Sequence, residues 1–239
     1  MSSRPMVQLM GMRLTPASLM KASVCLIAAE LQAFDKEAAA QGSWTGNASL
    51  TSDYAWHGVS SSNGDPAIQG GFDYANGALY AGVWASTIDF GDASDANLEV
   101  SYYAGLADIL ANRVSWDLRA TFFTYPGTDG SGPEGLEISA GLGYSFENGL
   151  WIGTDGAFSP GEDYVYASLK AGYALNPSLS MDASLGSYRS DTDGDYADWS
   201  VGATASRAGV SLDLRYWDTD IENFAPADER IVLTVSISG

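Results

Sequence analysis

From Ser43 to the last residue, apolar side chains recur at every second position, in short runs separated by Gly, Asn, Pro and Asp. Alternation at period two puts successive side chains on opposite faces of a strand. The run Ile68 to Ile88, IQGGFDYANGALYAGVWASTI, shows the pattern most plainly. On its first arm Ile68, Gly70, Phe72 and Tyr74 share one parity, and Gln69, Gly71 and Asp73 share the other. On its second arm Tyr80, Gly82, Trp84, Ser86 and Ile88 continue the even, mostly apolar set, which is therefore read as the greasy face of both arms. Asn76-Gly77 lies between them, a dipeptide that tolerates the positive φ of a tight hairpin turn.

The alternation does not stop there. It begins with Trp44, Ala48, Leu50, Tyr54 and Trp56 on even positions, and resumes over Leu98 to Leu106, Val114 to Phe122, Leu136 to Phe146 and Leu150 to Phe158. Past Ser159-Pro160-Gly161 the apolar set moves to odd positions: Val165 to Tyr173, Leu179 to Leu185 and Ala197 to Ala205. It reverts over Val210 to Tyr216 and ends odd at Ile231 to Ile237, for twelve strands in all. No apolar run reaches the roughly 18 residues of a membrane-crossing helix, whereas a barrel strand crosses with about 9 to 11 alternating residues.

The connectors sort into two kinds. Asn76-Gly77, Ile109 to Asn112, Asn148-Gly149, Asn176-Pro177 and Arg207 to Gly209 are short turns. The intervening ones, Ser60 to Pro66, Asp89 to Asp95, Pro126 to Glu134, Pro160 to Asp163, Ser190 to Asp195 and Asp218 to Glu229, are mostly longer and acidic. Short turns on one rim and long loops on the other are the arrangement of outer-membrane barrels. The sequence thus predicts an all-β fold, a transmembrane antiparallel up-and-down β-barrel of about 12 strands. A secreted β-sandwich is the soluble alternative. Trp44, Tyr54, Trp56, Tyr80, Phe90, Phe122, Tyr144, Phe146, Phe158, Tyr173 and Tyr216 lie near strand ends on the apolar face, where two aromatic girdles at headgroup level are expected.

Residues 1–40 break the pattern. Arg4, Arg13 and Lys21 precede the apolar run Ala22 to Ala29, and Ala38-Ala39-Ala40 precedes Gln41, so 1–40 is read as a secretory leader and 41–239 as an outer-membrane barrel. A start at Met20 would give a more compact signal. The single cysteine, Cys25, falls in the leader, which excludes a disulfide framework and a cysteine metal cluster. A formal net charge of -19 argues against nucleic acid, whose phosphates need clustered Lys and Arg, and favours cations or cationic solutes.

Four segments carry a family resemblance: Leu50-Thr51-Ser52-Asp53-Tyr54, Gly58-Val59-Ser60, Pro66 through Tyr74, and Tyr80 through Ser86. In order and spacing they resemble the TorF-family porins of proteobacteria, and Thr124-Tyr125-Pro126-Gly127 looks like another of that family's recurring segments. The resemblance implies a bacterial outer-membrane location and passive solute passage, and supplies no catalytic residue and no substrate. The chain departs from the family pattern at Trp56-His57-Gly58, where members tend to carry an arginine in place of His57; it also ends Ile237-Ser238-Gly239, without the terminal aromatic common to barrels handled by the outer-membrane assembly machinery.

The parity opposite the apolar face is expected to line the interior, and its charges include Glu99, Arg113, Asp117, Arg119, Lys170 and Arg215, the candidate pore-lining residues. Over the whole of that parity, with Asp53, Asp73, Glu137, Asp155, Asp182, Asp198 and Asp213 added, carboxylates outnumber cations, which favours cations in a pore. Asp191-Thr192-Asp193-Gly194-Asp195 alternates carboxylates like a calcium loop, but an EF-hand needs Gly and Glu where Tyr196 and Gly202 stand. His57 is the only histidine, and neither a phosphate loop nor a His/Cys metal cluster is present, so no enzyme, metal or cofactor is expected. The expected partners are outer-membrane lipid, the barrel-assembly machinery and small solutes or ions, with the oligomeric state open. The functional expectation is a general or weakly cation-preferring pore, with a closed structural or ligand-binding barrel as the alternative.

Overall fold

The computed structural model describes residues 42–91, 94–110, 113–128 and 135–239. The leader expected over 1–40 lies outside the described residues. The strands are β1 (Ser43–Thr51), β2 (Ala55–Trp56), β3 (Val59–Ser60), β4 (Ala67–Asn76), β5 (Leu79–Thr87), β6 (Leu98–Leu110) and β7 (Val114–Thr124). They continue as β8 (Gly135–Ser145), β9 (Leu150–Ser159), β10 (Tyr164–Asn176), β11 (Leu179–Ser190), β12 (Tyr196–Arg207), β13 (Val210–Thr219) and β14 (Arg230–Ser238). All except β2 and β3 join one closed antiparallel barrel in sequence order, and β1 closes the ring by pairing with both β4 and β14. This is the expected 12-stranded barrel. An 11-residue strand such as β7 reaches about 36 Å, enough when tilted by about 45° to cross the roughly 25 Å apolar band of an outer membrane.

The outward face is apolar around the ring: Leu50, Phe72, Leu118, Leu142, Leu169, Leu185, Leu214 and Leu233 are all exposed. In water such a surface would be a liability; in lipid it is the solvated face. Leu169 sits mid-strand on β10, 64% exposed. Leu169→Arg is therefore expected to destabilise the barrel by about 2–4 kcal/mol, as read from urea unfolding in lipid vesicles. An unchanged midpoint would mean that this face does not contact lipid.

One arm of the first hairpin is inverted relative to the sequence reading. Asn76 pairs directly with Leu79, so only Gly77 and Ala78 form the turn, with Gly77 at φ +62. A two-residue connection pairs even positions with odd ones, so the face must switch across it. On β5 the outward set is Leu79, Ala81, Val83, Ala85 and Thr87, and the aromatic even set, Tyr80 and Trp84, points into the barrel. At β10–β11 a bulge at Ala174/Asn176 cancels the switch, which is why the odd parity persists there.

A second departure follows β1. The first strand ends at Thr51 rather than continuing through Trp56, and Asp53 to Ser62 fold into the barrel. Tyr54, Trp56, Tyr80 and Phe90, expected in the aromatic girdles, instead face the interior; Tyr54, Trp56 and Phe90 belong to a buried aromatic core with Trp84, Phe123, Tyr125, Tyr164, Tyr166, Tyr188 and Tyr196. Trp44, Phe122, Phe146, Phe158 and Tyr173 do face outward.

Candidate functional site

The inward segment is built around a small hairpin of β2 and β3. Its turn residues, His57 at φ +47 and Gly58 at φ +80, both occupy the left-handed region, as a type I′ turn requires. Gly58 has no room for a side chain: an added Cβ would lie 2.5 Å from Thr219 Cγ2 and 3.0 Å from Asp198 Cβ. The tip is thus pressed against the inner wall at β12 and β13.

Asp53 anchors the base of the segment. Its Oδ1 accepts the hydroxyls of Ser60 (2.6 Å) and Ser62 (3.0 Å), and its Oδ2 accepts Arg230 Nη1 (2.7 Å) from β14. Ser61 N–H donates to the Tyr54 carbonyl (2.6 Å), and the Ser61 carbonyl accepts Asp89 N–H (3.0 Å). These bonds meet the requirement that buried backbone groups be paired, so the chain can leave the wall without a sheet to follow.

Aromatic rings fix the tip. Trp56 meets Tyr164 and Tyr188 edge-on, at centroid separations of 6.0 and 6.2 Å. Tyr188 in turn stacks between Tyr164 (5.2 Å) and Tyr196 (4.9 Å). His57 lies flat on Tyr166, with centroids 3.4 Å apart and planes 24° from parallel. These partners are on β10 and β11, nearly opposite β1 in the strand order. The hairpin therefore spans the lumen at its long-loop end. Burial, and then the cation of Lys170, hold the His57 imidazole well below its ordinary pKa, so the ring is neutral at neutral pH.

Between this plug and the short-turn rim the interior is polar. On one wall Tyr103 O–H donates to the Asp73 carboxylate, Tyr80 O–H donates to Asp117 Oδ2 (2.6 Å), and the Arg119 guanidinium sits 5.7 Å from the Tyr103 ring centre. On the other wall Lys170 pairs with Asp155. There Arg215 forms a fork to Asp182 (Nη1 to Oδ2 2.6 Å, Nη2 to Oδ1 2.8 Å) and reaches Asp213 (3.2 Å). Glu99 and Glu137 lie higher, fully buried among the core residues, with Ser101 donating to Glu99 and Tyr164 to Glu137.

Of the residues expected to line a pore, Glu99, Asp117, Arg119, Lys170 and Arg215 face the interior. Arg113 does not: it precedes β7 in a turn at the short-turn rim, its side chain is 40% exposed, and it pairs with Glu147. One residue of extrapolated strand parity was enough to misplace it. Sequence parity alone puts the lumen aromatics Tyr80, Trp84 and Trp56 on the lipid face; for β5, the signal that places them inside is the two-residue turn. The Asp191 to Asp195 stretch forms the turn from β11 to β12, where Asp193 and Gly194 N–H groups bond Ser190. Among the described residues no group of three or more His, Cys, Asp or Glu is disposed to hold a metal.

A family model described as "Bacterial protein of unknown function (Gcw_chp)" matches residues 35–236. No curated protein matches the sequence. Among solved structures, the KdgM porin superposes with a TM-score of 0.59 at 4% identity, covering 81% of this chain and 97% of that one. The NanC porin gives 0.54 at 9% identity, covering 82% and 98%. A second structure, titled as KdgM porin in complex with disordered oligogalacturonate, gives 0.55 at 5% identity. At these identities the likeness is one of fold: a porin-like barrel of matching extent.

Proposed function

The chain belongs to the Gcw_chp family of bacterial proteins, and we propose that it is an outer-membrane channel of narrow bore, passing small solutes or ions with a preference for cations. The observation that carries this reading is the character of the lumen below the hairpin. A barrel closed for structural purposes is cheapest to fill with apolar side chains, because buried ion pairs recover little of their desolvation cost. Here the interior positions carry Asp73, Asp117, Asp155, Lys170, Asp182, Asp213 and Arg215, and the Asp182 and Asp213 side chains remain 23% exposed. Such a wall is suited to a hydrated path. The TorF-family resemblance of the segments between Leu50 and Ser86 supports the same reading, and with it an outer-membrane location and passive passage.

The preference follows from the sign of the surplus. Arg119, Lys170 and Arg215 are outnumbered by the carboxylates around them, and a low-dielectric wall focuses the remaining negative potential into the bore. A polyanion of the kind named for the KdgM complex would meet repulsion here. The test is single-channel recording of the purified protein in a planar bilayer under a potassium chloride gradient. Discrete steps reversing toward the potassium potential are expected. A chloride preference would remove the selectivity argument and keep the channel. Silence from folded, inserted protein would favour the second reading, a closed structural or ligand-binding barrel, for which the aromatic packing of the long-loop half is the specific support.

A further inference from the structure

The lone histidine stands where the inward hairpin narrows the lumen. It occupies the tip of the hairpin that crosses the lumen, and its ring is pressed between the hairpin and Tyr166. It is 5% exposed, and its Nε2 finds no hydrogen-bond partner among the described residues. We infer that the hairpin tip, Ala55 to Val59, is an acid-released plug, seated while His57 is neutral and expelled from the lumen when it takes a proton. The inference rests on the channel reading above and deepens it, since it assigns the condition under which the bore widens.

The charged groups around the ring decide the direction. From β10, Tyr166 supplies the stacking face and Lys170 a nearby cation, itself paired with Asp155 of β9. From β12, Asp198 packs its Cβ against the tip and receives the Tyr166 hydroxyl at 3.3 Å. From β13 the tip meets the Thr219 methyl and the carbonyl of Asp218. From β11, Tyr188 touches Trp56. On its own segment, Asp53 is committed to Ser60, Ser62 and Arg230 at the base. Burial opposes a charged imidazole most, because a cation here would lose its water with no acceptor on Nε2, and Lys170 opposes it further.

A histidine whose pKa is depressed in the seated state contributes stability that is fully present above the free imidazole value of about 6.5. As pH falls below that value the contribution is lost, by up to tenfold in the seated-to-released ratio for each pH unit, until the depressed value is reached. What the hairpin leaves behind is a wall already braced by its own bonds, so its departure does not require the barrel to open. The bond from Arg230 to Asp53 keeps the base of the segment attached while the tip leaves.

The full-length protein in lipid vesicles allows two independent readouts. The first is hydrogen–deuterium exchange of Ala55 to Val59 at about pH 7.5 and about pH 5, corrected for intrinsic rates, on either side of the free imidazole value. The second is conductance over the same range. In the unmodified protein, protection of this segment is expected to fall at least tenfold at the acid value while the barrel strands stay protected, with conductance rising in parallel. His57→Asn, which tolerates the left-handed backbone and cannot be protonated, is expected to keep the segment protected at both values. Loss of protection without conductance at any pH would uphold the acid release and overturn the channel. Equal protection of the unmodified protein at both values, or the same acid loss in His57→Asn, would overturn the release whatever the conductance.

Discussion

Replacing Ala55–Ser60 with a short Gly-Ser linker is expected to raise single-channel conductance several-fold at neutral pH, with the heat-modifiable gel mobility of the folded barrel unchanged. The twelve wall strands pair with one another and do not use β2 or β3, so the hairpin can be removed without breaking a wall ladder. Its removal takes Trp56 and His57 out of the lumen and leaves Tyr164, Tyr166 and Tyr188 lining a wider bore. Gly58→Val provides a subtler version. A side chain there collides with Thr219 and Asp198, and a β-branched residue is poorly tolerated at φ +80. It is expected to shift conductance in the same direction by unseating the tip. An unchanged conductance in both variants, with folded protein, would place the resistance elsewhere in the lumen.

The second large effect is expected at Arg215. Arg215→Ala leaves Asp182 and Asp213 facing each other across β11, β12 and β13 without the fork that joins them. Breaking one partner out of a fully buried charge network typically costs 3–5 kcal/mol, and the partial exposure here, 18% for the arginine side chain, reduces this to about 2 kcal/mol. The urea midpoint of the barrel should fall accordingly. The reversal potential should move further toward that of potassium, because a lumen cation has been removed. Asp213→Asn in the same background should recover part of both changes, since it removes one of the two stranded carboxylates. A reversal potential that does not move would mean that the ion path avoids this wall.

Much of the barrel was legible because lipid imposes a simple rule on every strand. Leu50, Leu118, Leu169 and Leu214 alternate with polar partners and Leu142 with glycines, and each is exposed on the outer face as its parity implied. The two loop classes were legible for the same reason that barrels have them, since tight turns need Gly, Asn or Pro. The interior was harder. Tyr80 and Trp84 on β5 alternate with Leu79, Ala81, Val83 and Ala85, so both faces of that strand are apolar enough for either environment. Only the pairing of Asn76 with Leu79 separates them. Arg113 shows the converse limit: its parity is right for the lumen, yet it lies before the first paired residue of β7, where parity has no meaning.

By itself, then, the sequence determined the number of strands, the antiparallel ring, the lipid-facing band of most strands, and the acidic surplus of the lumen. These follow from local alternation and turn chemistry, which act within a few residues. Only the tertiary structure decided that the segment after Thr51 enters the barrel. That outcome depends on Asp53 meeting Arg230 from the last strand, and on Trp56 and His57 meeting rings carried by β10 and β11. These contacts join residues more than a hundred positions apart. An aromatic run such as Tyr54 to Trp56 is equally at home in lipid and in a packed core, so its place is set by what the closed ring brings opposite it.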